Sequence, residues 1–211
     1  AAMPKYLSRP GAPYADPCPT EAALKLRPYR AAYLQLDLTV NKWGWHDPHA
    51  VAAVLEIDLL PPFKRERPAE PLFFRANSGE CIQFAATNLI PSVLNLDDFQ
   101  IYSPTDVIGQ HIHLVKFDVT ASDGSGNGWN YEDGTLSADE VRERIRAHNL
   151  ANPGDPIKLV TNPLFKTGVL KDDKRGWCGD MGKEGSDENP WCGAQTTVQR
   201  WYADPILAGH T

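Results

Sequence analysis

Residues 81–88, Cys-Ile-Gln-Phe-Ala-Ala-Thr-Asn, carry the clearest strand pattern of the chain. Ile82, Phe84 and Ala86 fall at alternate positions, and the side chains of an extended strand alternate between its two faces. The turn residues Asn77-Ser-Gly79 stand just before this run. The pattern therefore predicts a β-strand that begins after a turn and packs one face on a core.

Further strand patterns lie on both sides of this run. Apolar and polar residues alternate over Tyr33–Val40, where four apolar side chains share a face. The other candidate strands are Val51–Leu60, Leu72–Arg75, Val93–Ile101, His111–Val119 and Gln195–Tyr202. Short strands at intervals of roughly ten residues, with turn residues between them, predict an antiparallel sandwich or barrel. One helix is also predicted, because Ser137-Ala-Asp-Glu140 forms a capping box and an apolar stripe follows it to about His148.

The length and composition indicate a mainly β globular protein. A chain of 211 residues with 42% hydrophobic residues can bury one substantial core. Residues 1–30 contain six prolines and are predicted to form an extended arm. Residues 31–211 are predicted to form a single domain with a loop and helix excursion at about 120–194. Since the chain begins at Ala1 rather than at a methionine, we expect a processed product or a fragment.

The charge distribution and hydropathy exclude some partners. The formal net charge is −6 and the basic run Lys64–Arg67 is short, so we expect no nucleic-acid partner. No apolar run reaches the ~20 residues of a membrane-spanning helix, so we expect no membrane span. The sequence contains neither a nucleotide-binding glycine motif nor a Gly-x-Ser-x-Gly nucleophile motif, so it does not predict a nucleotide-dependent enzyme or a hydrolase.

The four cysteines favour an oxidising compartment. The residues between Cys178 and Cys192 are almost all polar or glycine and cannot form a core of their own. A Cys178–Cys192 disulfide would constrain this segment, which predicts an extracellular or periplasmic protein. Zinc binding is the alternative, although neither cysteine belongs to a Cys-x-x-Cys pair.

The run Gly109-Gln-His-Ile-His-Leu-Val-Lys-Phe-Asp118 contains the candidate metal ligands His111 and His113. In an extended strand these two side chains project to the same face, roughly 6–7 Å apart at the backbone. Imidazole suits copper, zinc, iron and nickel, so the spacing alone leaves the metal open. The alternative is a strand with two half-exposed histidines and no metal.

The residues around the histidine pair indicate which of these metals it binds. Phe74–Leu89 has the form of a cupredoxin strand pair, with a Gly-Glu turn, an alternating strand and Asn-Leu, and His111-Ile-His113 follows it. The stretch from about Trp43 through Ile145 resembles a segment of the large bacterial multicopper oxidases, and Gln195–Asp204 fits the same group.

The resemblance implies a cupredoxin-like antiparallel β-sandwich of Greek-key topology, with copper as the cofactor. It implies that His111 and His113 are ligands of a trinuclear copper cluster, the first on the type 2 copper and the second on one of the type 3 pair. The implied reaction is reduction of dioxygen to water coupled to oxidation of a metal ion or organic substrate.

The chain also departs from the multicopper oxidases. A complete cluster takes eight histidines from four His-x-His motifs, whereas this chain has six histidines and one such motif. No cysteine neighbours a histidine, so the type 1 copper site is missing. The chain alone is therefore not expected to complete an oxidase cycle. We expect its partners to be the remaining domains or chains of a multicopper oxidase; the alternative is a non-catalytic cupredoxin-like module that binds copper weakly or not at all.

Three weaker features accompany the pair. His46 and His49 could add metal ligands, although Pro48 favours a surface turn. The run 123–128 resembles the first half of a calcium loop but lacks its final glutamate. The acidic pair Glu132 and Asp133 could donate protons to reduced dioxygen.

Overall fold

The computed structural model of the chain describes residues 16–19, 25–90, 107–124, 134–179, 189–207 and 209. Four strands run through these residues: β1 (Leu26–Thr39), β2 (His46–Leu55), β3 (Cys81–Asn88) and β4 (Thr196–Tyr202). The helices are α1 (Leu60–Phe63), α2 (Ala138–Ala151) and α3 (Pro163–Lys166), with 3-10 turns at Glu56–Asp58, Lys174–Gly176 and Pro205–Leu207. The prediction of a mainly β fold is confirmed at this level.

The four strands form one mixed sheet in the order β2-β1-β3-β4. β1 pairs with β2 and β3 pairs with β4 in antiparallel fashion, whereas β1 and β3 are parallel. The sequence pattern predicts antiparallel pairing throughout, and the central parallel pair departs from it. The parallel pairing arises because the chain leaves β2, passes through α1 and a long irregular segment, and returns to the other side of β1 before β3 begins.

The predicted strands correspond to the observed ones to different degrees. β3 occupies the predicted residues 81–88, while β1 starts at Leu26, inside the stretch predicted as an arm. β2 ends at Leu55, where a 3-10 turn replaces the second half of the predicted strand Val51–Leu60. The candidate Leu72–Arg75 has no regular secondary structure. Val93–Ile101 lies outside the described residues.

Each face of the sheet carries its own apolar cluster, because the alternating residues of β1 and β3 point to opposite sides. On one face, Ala32 and Leu34 pack with Phe165 and other residues of the helical segments. On the other face, Tyr33, Phe84 and Trp201 form a cluster that is covered by residues 72–74 and by the segment 107–117. The second face is the one that positions the histidine pair.

Two disulfides connect distant parts of the chain. Cys178 is bonded to Cys192, as predicted, and Cys18 is bonded to Cys81 at the start of β3. The second bond attaches residues 16–19 to the sheet, and an ion pair between Asp16 and Arg200 of β4 holds the same stretch. Among the helices that the structure describes, none combines the length and apolar character that a membrane crossing requires.

Candidate functional site

The segment 107–124 carries His111 and His113 along the outer edge of β4. Lys116 and Tyr202 exchange two backbone hydrogen bonds of 3.0 and 2.9 Å, and the backbone N–H of Arg200 donates to the Ser122 hydroxyl at 3.0 Å. The indole N–H of Trp201 donates to the Ser122 carbonyl oxygen at 3.1 Å. The second half of the segment is thus fixed to one strand at two points.

The prediction of a strand over His111–Val119 is wrong. Residues 111–115 have no ladder partner among the described residues, and Lys116 forms only an isolated bridge with Tyr202. Leu114 adopts a left-handed backbone conformation with φ of 58°, which interrupts an extended run. The segment is instead an irregular loop that is held against the sheet.

The two imidazoles nevertheless share one face, as the His-x-His spacing predicts. Ile112 between them packs into the apolar cluster of the sheet, while His111 and His113 are exposed. Their ring centroids lie 4.9 Å apart with an interplanar angle of 76°. Because Ile112 is anchored inward, the two rings are held outward together.

Asp123 orients the His111 ring. The Nδ1 atom of His111 lies 2.8 Å from the backbone oxygen of Asp123 and 2.8 Å from its Oδ1 atom. A carbonyl oxygen and a carboxylate oxygen can only accept, so Nδ1 carries the proton and donates to them. In the neutral ring the lone pair is then on Nε2, which is the arrangement found in metal-ligating histidines.

Two glycines allow this contact. A Cβ atom on Gly109 would lie 2.0 Å from the Gly124 backbone oxygen, and one on Gly124 would lie 2.1 Å from the Gln110 oxygen. Gly124 also has φ of +63°. The two backbone stretches therefore approach closely only because both residues lack side chains. The buried Gln199 of β4 adds a hydrogen bond to the Gln110 oxygen at 3.2 Å.

Lys116 and Asp204 form an ion pair that holds the far side of the segment. The Lys116 ammonium donates to the Asp204 carboxylate, and the backbone N–H of Ile206 donates to it as well. These hydrogen bonds lower the pKa of Asp204 below its ordinary value. The carboxylate is therefore charged at neutral pH and keeps the lysine in place.

The other candidate residues lie elsewhere or are incomplete. In β2, His46 places Nδ1 2.6 Å from Asp37 Oδ1, and the Asp47 carboxylate accepts from the His49 backbone N–H at 2.9 Å. Asp47 thus orients the backbone rather than an imidazole. Most of the calcium-like run 123–128, together with Glu132 and Asp133, lies outside the described residues.

In the part of the chain that the structure describes, the histidine pair has no further metal-ligand side chains grouped with it. No group of three or more His, Cys, Asp or Glu side chains there is arranged to hold a metal ion. The sequence contains one His-x-His motif. Two imidazoles alone do not complete the coordination sphere of a transition-metal ion.

Sequence reasoning misses the role of Asp123 and the close contact of Gly109 with Gly124. In the sequence Asp123 stands out only as the start of a calcium-like run, and its distance of twelve residues from His111 gives no local signal. The flanking glycines are the available sign of a close backbone approach.

A scan of the chain against protein-family models and a search of curated proteins found no significant match.

Proposed function

We propose that this chain is a copper-binding, cupredoxin-like segment of a multicopper oxidase. In this proposal it contributes His111 and His113 to a trinuclear copper cluster that reduces dioxygen to water while a metal ion or organic substrate is oxidised. The observation that carries the proposal is the pair of outward-facing imidazoles, of which His111 has its Nδ1 proton committed to Asp123. The resemblance of the flanking sequence to the large bacterial multicopper oxidases selects copper.

The donor set fits copper. Imidazole nitrogen is a preferred ligand of copper, and a histidine whose second nitrogen donates to a carboxylate or carbonyl has the correct tautomer. His111 meets this condition through Asp123. His113 is exposed, and within the described residues its ring contacts only the His111 ring among the aromatic side chains. Both rings are thus accessible to an ion that approaches from solvent or from another domain.

Copper bound to such a pair supplies one-electron redox chemistry. The residues of this chain hold and orient the ligands: Asp123 fixes the His111 ring, Ile112 anchors the peptide between the two rings, and β4 supports the whole segment. A rigid support of this kind sets the separation of the two ligands before the metal arrives. Each of the four His-x-His motifs of a trinuclear cluster must hold its two ligands at a fixed separation in this way.

The fold and the compartment form part of the same proposal. The observed sheet, with apolar clusters on both faces, is proposed to belong to a Greek-key cupredoxin-like sandwich. The two disulfides support an extracellular or periplasmic location, since such bonds persist in oxidising compartments. The missing ligands and the type 1 site are assigned to the remaining domains or chains of the oxidase.

A copper titration followed by calorimetry tests this proposal. We expect Cu(II) to bind the chain with a dissociation constant in the micromolar range or below. We expect the double variant His111→Ala/His113→Ala to lose at least 100-fold in copper affinity. The matched control is His46→Ala/His49→Ala, which removes two histidines from β2 and is expected to change the affinity less than threefold. Equal binding by the wild-type chain and the His111/His113 double variant would overturn the site.

The second candidate is a non-catalytic cupredoxin-like module. The observation that favours it is the absence, among the described residues, of a third ligand arranged to hold a metal with the pair. This candidate predicts millimolar copper binding that the His111→Ala/His113→Ala substitutions barely change. The same titration therefore separates the two functions.

A further inference from the structure

A cavity of about 620 Å³ lies on the face of the sheet opposite to the histidine pair. Leu34 and Leu36 of β1 line it together with Leu89, and all three pack in the apolar cluster of that face. Ile112, which anchors the histidine pair, packs in the cluster on the other face. The volume is in the range of small-molecule sites, ~300–1,000 Å³. The cavity is therefore large enough for a ligand and separate from the candidate copper ligands.

Three basic residues line the same cavity: Lys64, Arg65 and Arg175. Glu66 is the one acidic residue among the described residues that line it, so the lining is positive in a chain whose formal net charge is −6. Lys64 and Arg65 form no ion pair within the described ranges. Their charges are therefore available to an anion that enters from solvent.

Arg175 is held in place beside the cavity. Its Nε and Nη2 groups donate to the Asp173 carboxylate at 2.9 and 2.6 Å. Its guanidinium also lies over the rings of Phe63 and Trp191, 5.3 and 4.8 Å from their centroids. Trp191 is fixed in turn, since its indole N–H donates to the Leu89 carbonyl oxygen at 3.0 Å. The Nη1 group of Arg175 has no hydrogen-bond partner among the residues that the structure describes, so a preorganised donor remains for a ligand.

Arg65 occupies a backbone position that ordinarily favours glycine. Its φ is 60°, in the left-handed region, and α1 ends there. The backbone N–H of Arg65 donates to the Pro62 oxygen and that of Glu66 to the Pro61 oxygen, both at 2.9 Å. These two bonds are those of a helix end that usually carries glycine at this point. An arginine in this conformation is unfavourable for the backbone alone, which indicates a use for its side chain.

We propose that this cavity binds an aromatic carboxylate. The carboxylate group pairs with the Arg65 guanidinium and the Lys64 ammonium, while Nη1 of Arg175 supplies a further donor. The aromatic ring packs on the leucine side chains of β1, beside the rings of Phe63 and Trp191. A flat, rigid acid suits this site better than a flexible aliphatic acid does, because it loses less conformational entropy on binding. The inference goes beyond the proposed function and does not depend on copper.

Calorimetry of the full chain with 2-naphthoate tests the inference, in buffer that contains a metal chelator. We expect saturable binding with a dissociation constant on the order of 100 μM. The neutral 2-naphthamide has the same ring system without the charge and should bind at least tenfold more weakly. Octanoate, which has the charge on an aliphatic chain, should bind at least fivefold more weakly than 2-naphthoate.

Arg65→Gly separates ligand binding from folding, because glycine suits the left-handed conformation. We expect this variant to melt at the same temperature as the wild type or higher, and to lose at least tenfold in affinity for 2-naphthoate. Lys64→Gln and Lys171→Gln form a matched pair, since both lysines are exposed and only Lys64 lines the cavity. Lys64→Gln should weaken binding at least threefold, and Lys171→Gln should leave it unchanged.

The possible outcomes separate this inference from the copper proposal. Absence of saturable 2-naphthoate binding, or equal binding of 2-naphthamide, would overturn the carboxylate site. Unchanged affinity in both Arg65→Gly and Lys64→Gln would place the ligand elsewhere and overturn it as well. Octanoate binding as tight as that of 2-naphthoate would overturn the aromatic class of the ligand. None of these results bears on His111 and His113, because the chelator removes copper throughout.

Discussion

Asp123→Ala is expected to weaken copper binding about tenfold without unfolding the chain. In the structure the Nδ1 proton of His111 is shared between two oxygens of Asp123, one from the backbone and one from the side chain, each at 2.8 Å. The substitution removes the side-chain oxygen and leaves the backbone oxygen, so His111 keeps its tautomer but is held less firmly.

The magnitude follows from the single acceptor oxygen that the substitution removes. Removing the hydrogen-bond partner of a metal-ligating histidine typically costs 10–100-fold in metal affinity. Because one of two acceptors remains, we expect the lower end of this range, about 1.4 kcal/mol of binding free energy. Asp123→Asn keeps a neutral acceptor oxygen, and it should therefore weaken binding less than Asp123→Ala does.

The assay is a competition titration in which a chromophoric chelator of known affinity competes for Cu(II). Asp37→Ala is the matched control, because Asp37 makes the same kind of carboxylate contact with His46, at 2.6 Å, outside the candidate site. If Asp123→Ala and Asp37→Ala reduced copper affinity equally, or neither did, the assigned role of Asp123 would be refuted.

Three further predictions concern the support of the site. Gly124→Ala should lower the free energy of unfolding by about 1–3 kcal/mol, since the new Cβ would lie 2.1 Å from the Gln110 oxygen. Urea denaturation measures this change. The control is Gly154→Ala, whose Cβ would meet nothing within 4 Å. Replacing Cys178 and Cys192 by serine should cost about 3 kcal/mol, because their bond closes a loop with a sequence separation of 14; an unchanged urea midpoint would contradict this. Asp204 has a pKa lowered by Lys116, so its contribution to stability is present above its ordinary pKa of 3.8 and is lost as the pH falls through the lower folded value. Wild-type stability should therefore fall more steeply than that of Asp204→Asn between about pH 5 and strongly acidic pH, as measured by thermal melts in a pH series.

The local parts of the fold can be predicted from the sequence. The prediction of β3 matches its observed bounds, because its alternation and the preceding turn at Asn77–Gly79 are encoded in consecutive residues. The start of α2 is also predicted, since its first residue follows Ser137, but the helix runs to Ala151 rather than ending at about His148. The parallel pairing of β1 with β3 cannot be derived in this way, since it depends on the path of the chain over residues 56–80.

The candidate site is predictable in part for the same reason. The shared face of His111 and His113 follows from their spacing and from the apolar residue between them. The loop conformation cannot be predicted in this way. The left-handed φ falls on Leu114, whereas a sequence pattern indicates such a conformation only through a glycine or an asparagine. The contact with Asp123 brings together residues twelve positions apart, and that contact is a property of tertiary structure.

The central claim, that His111 and His113 bind copper, is tested most directly by electron paramagnetic resonance of the chain with Cu(II) at or below one equivalent. The account predicts a type 2 spectrum with nitrogen hyperfine splitting, and loss of that splitting in the His111→Ala/His113→Ala variant but not in His46→Ala/His49→Ala. The same nitrogen-coupled spectrum from the His111→Ala/His113→Ala variant would contradict it.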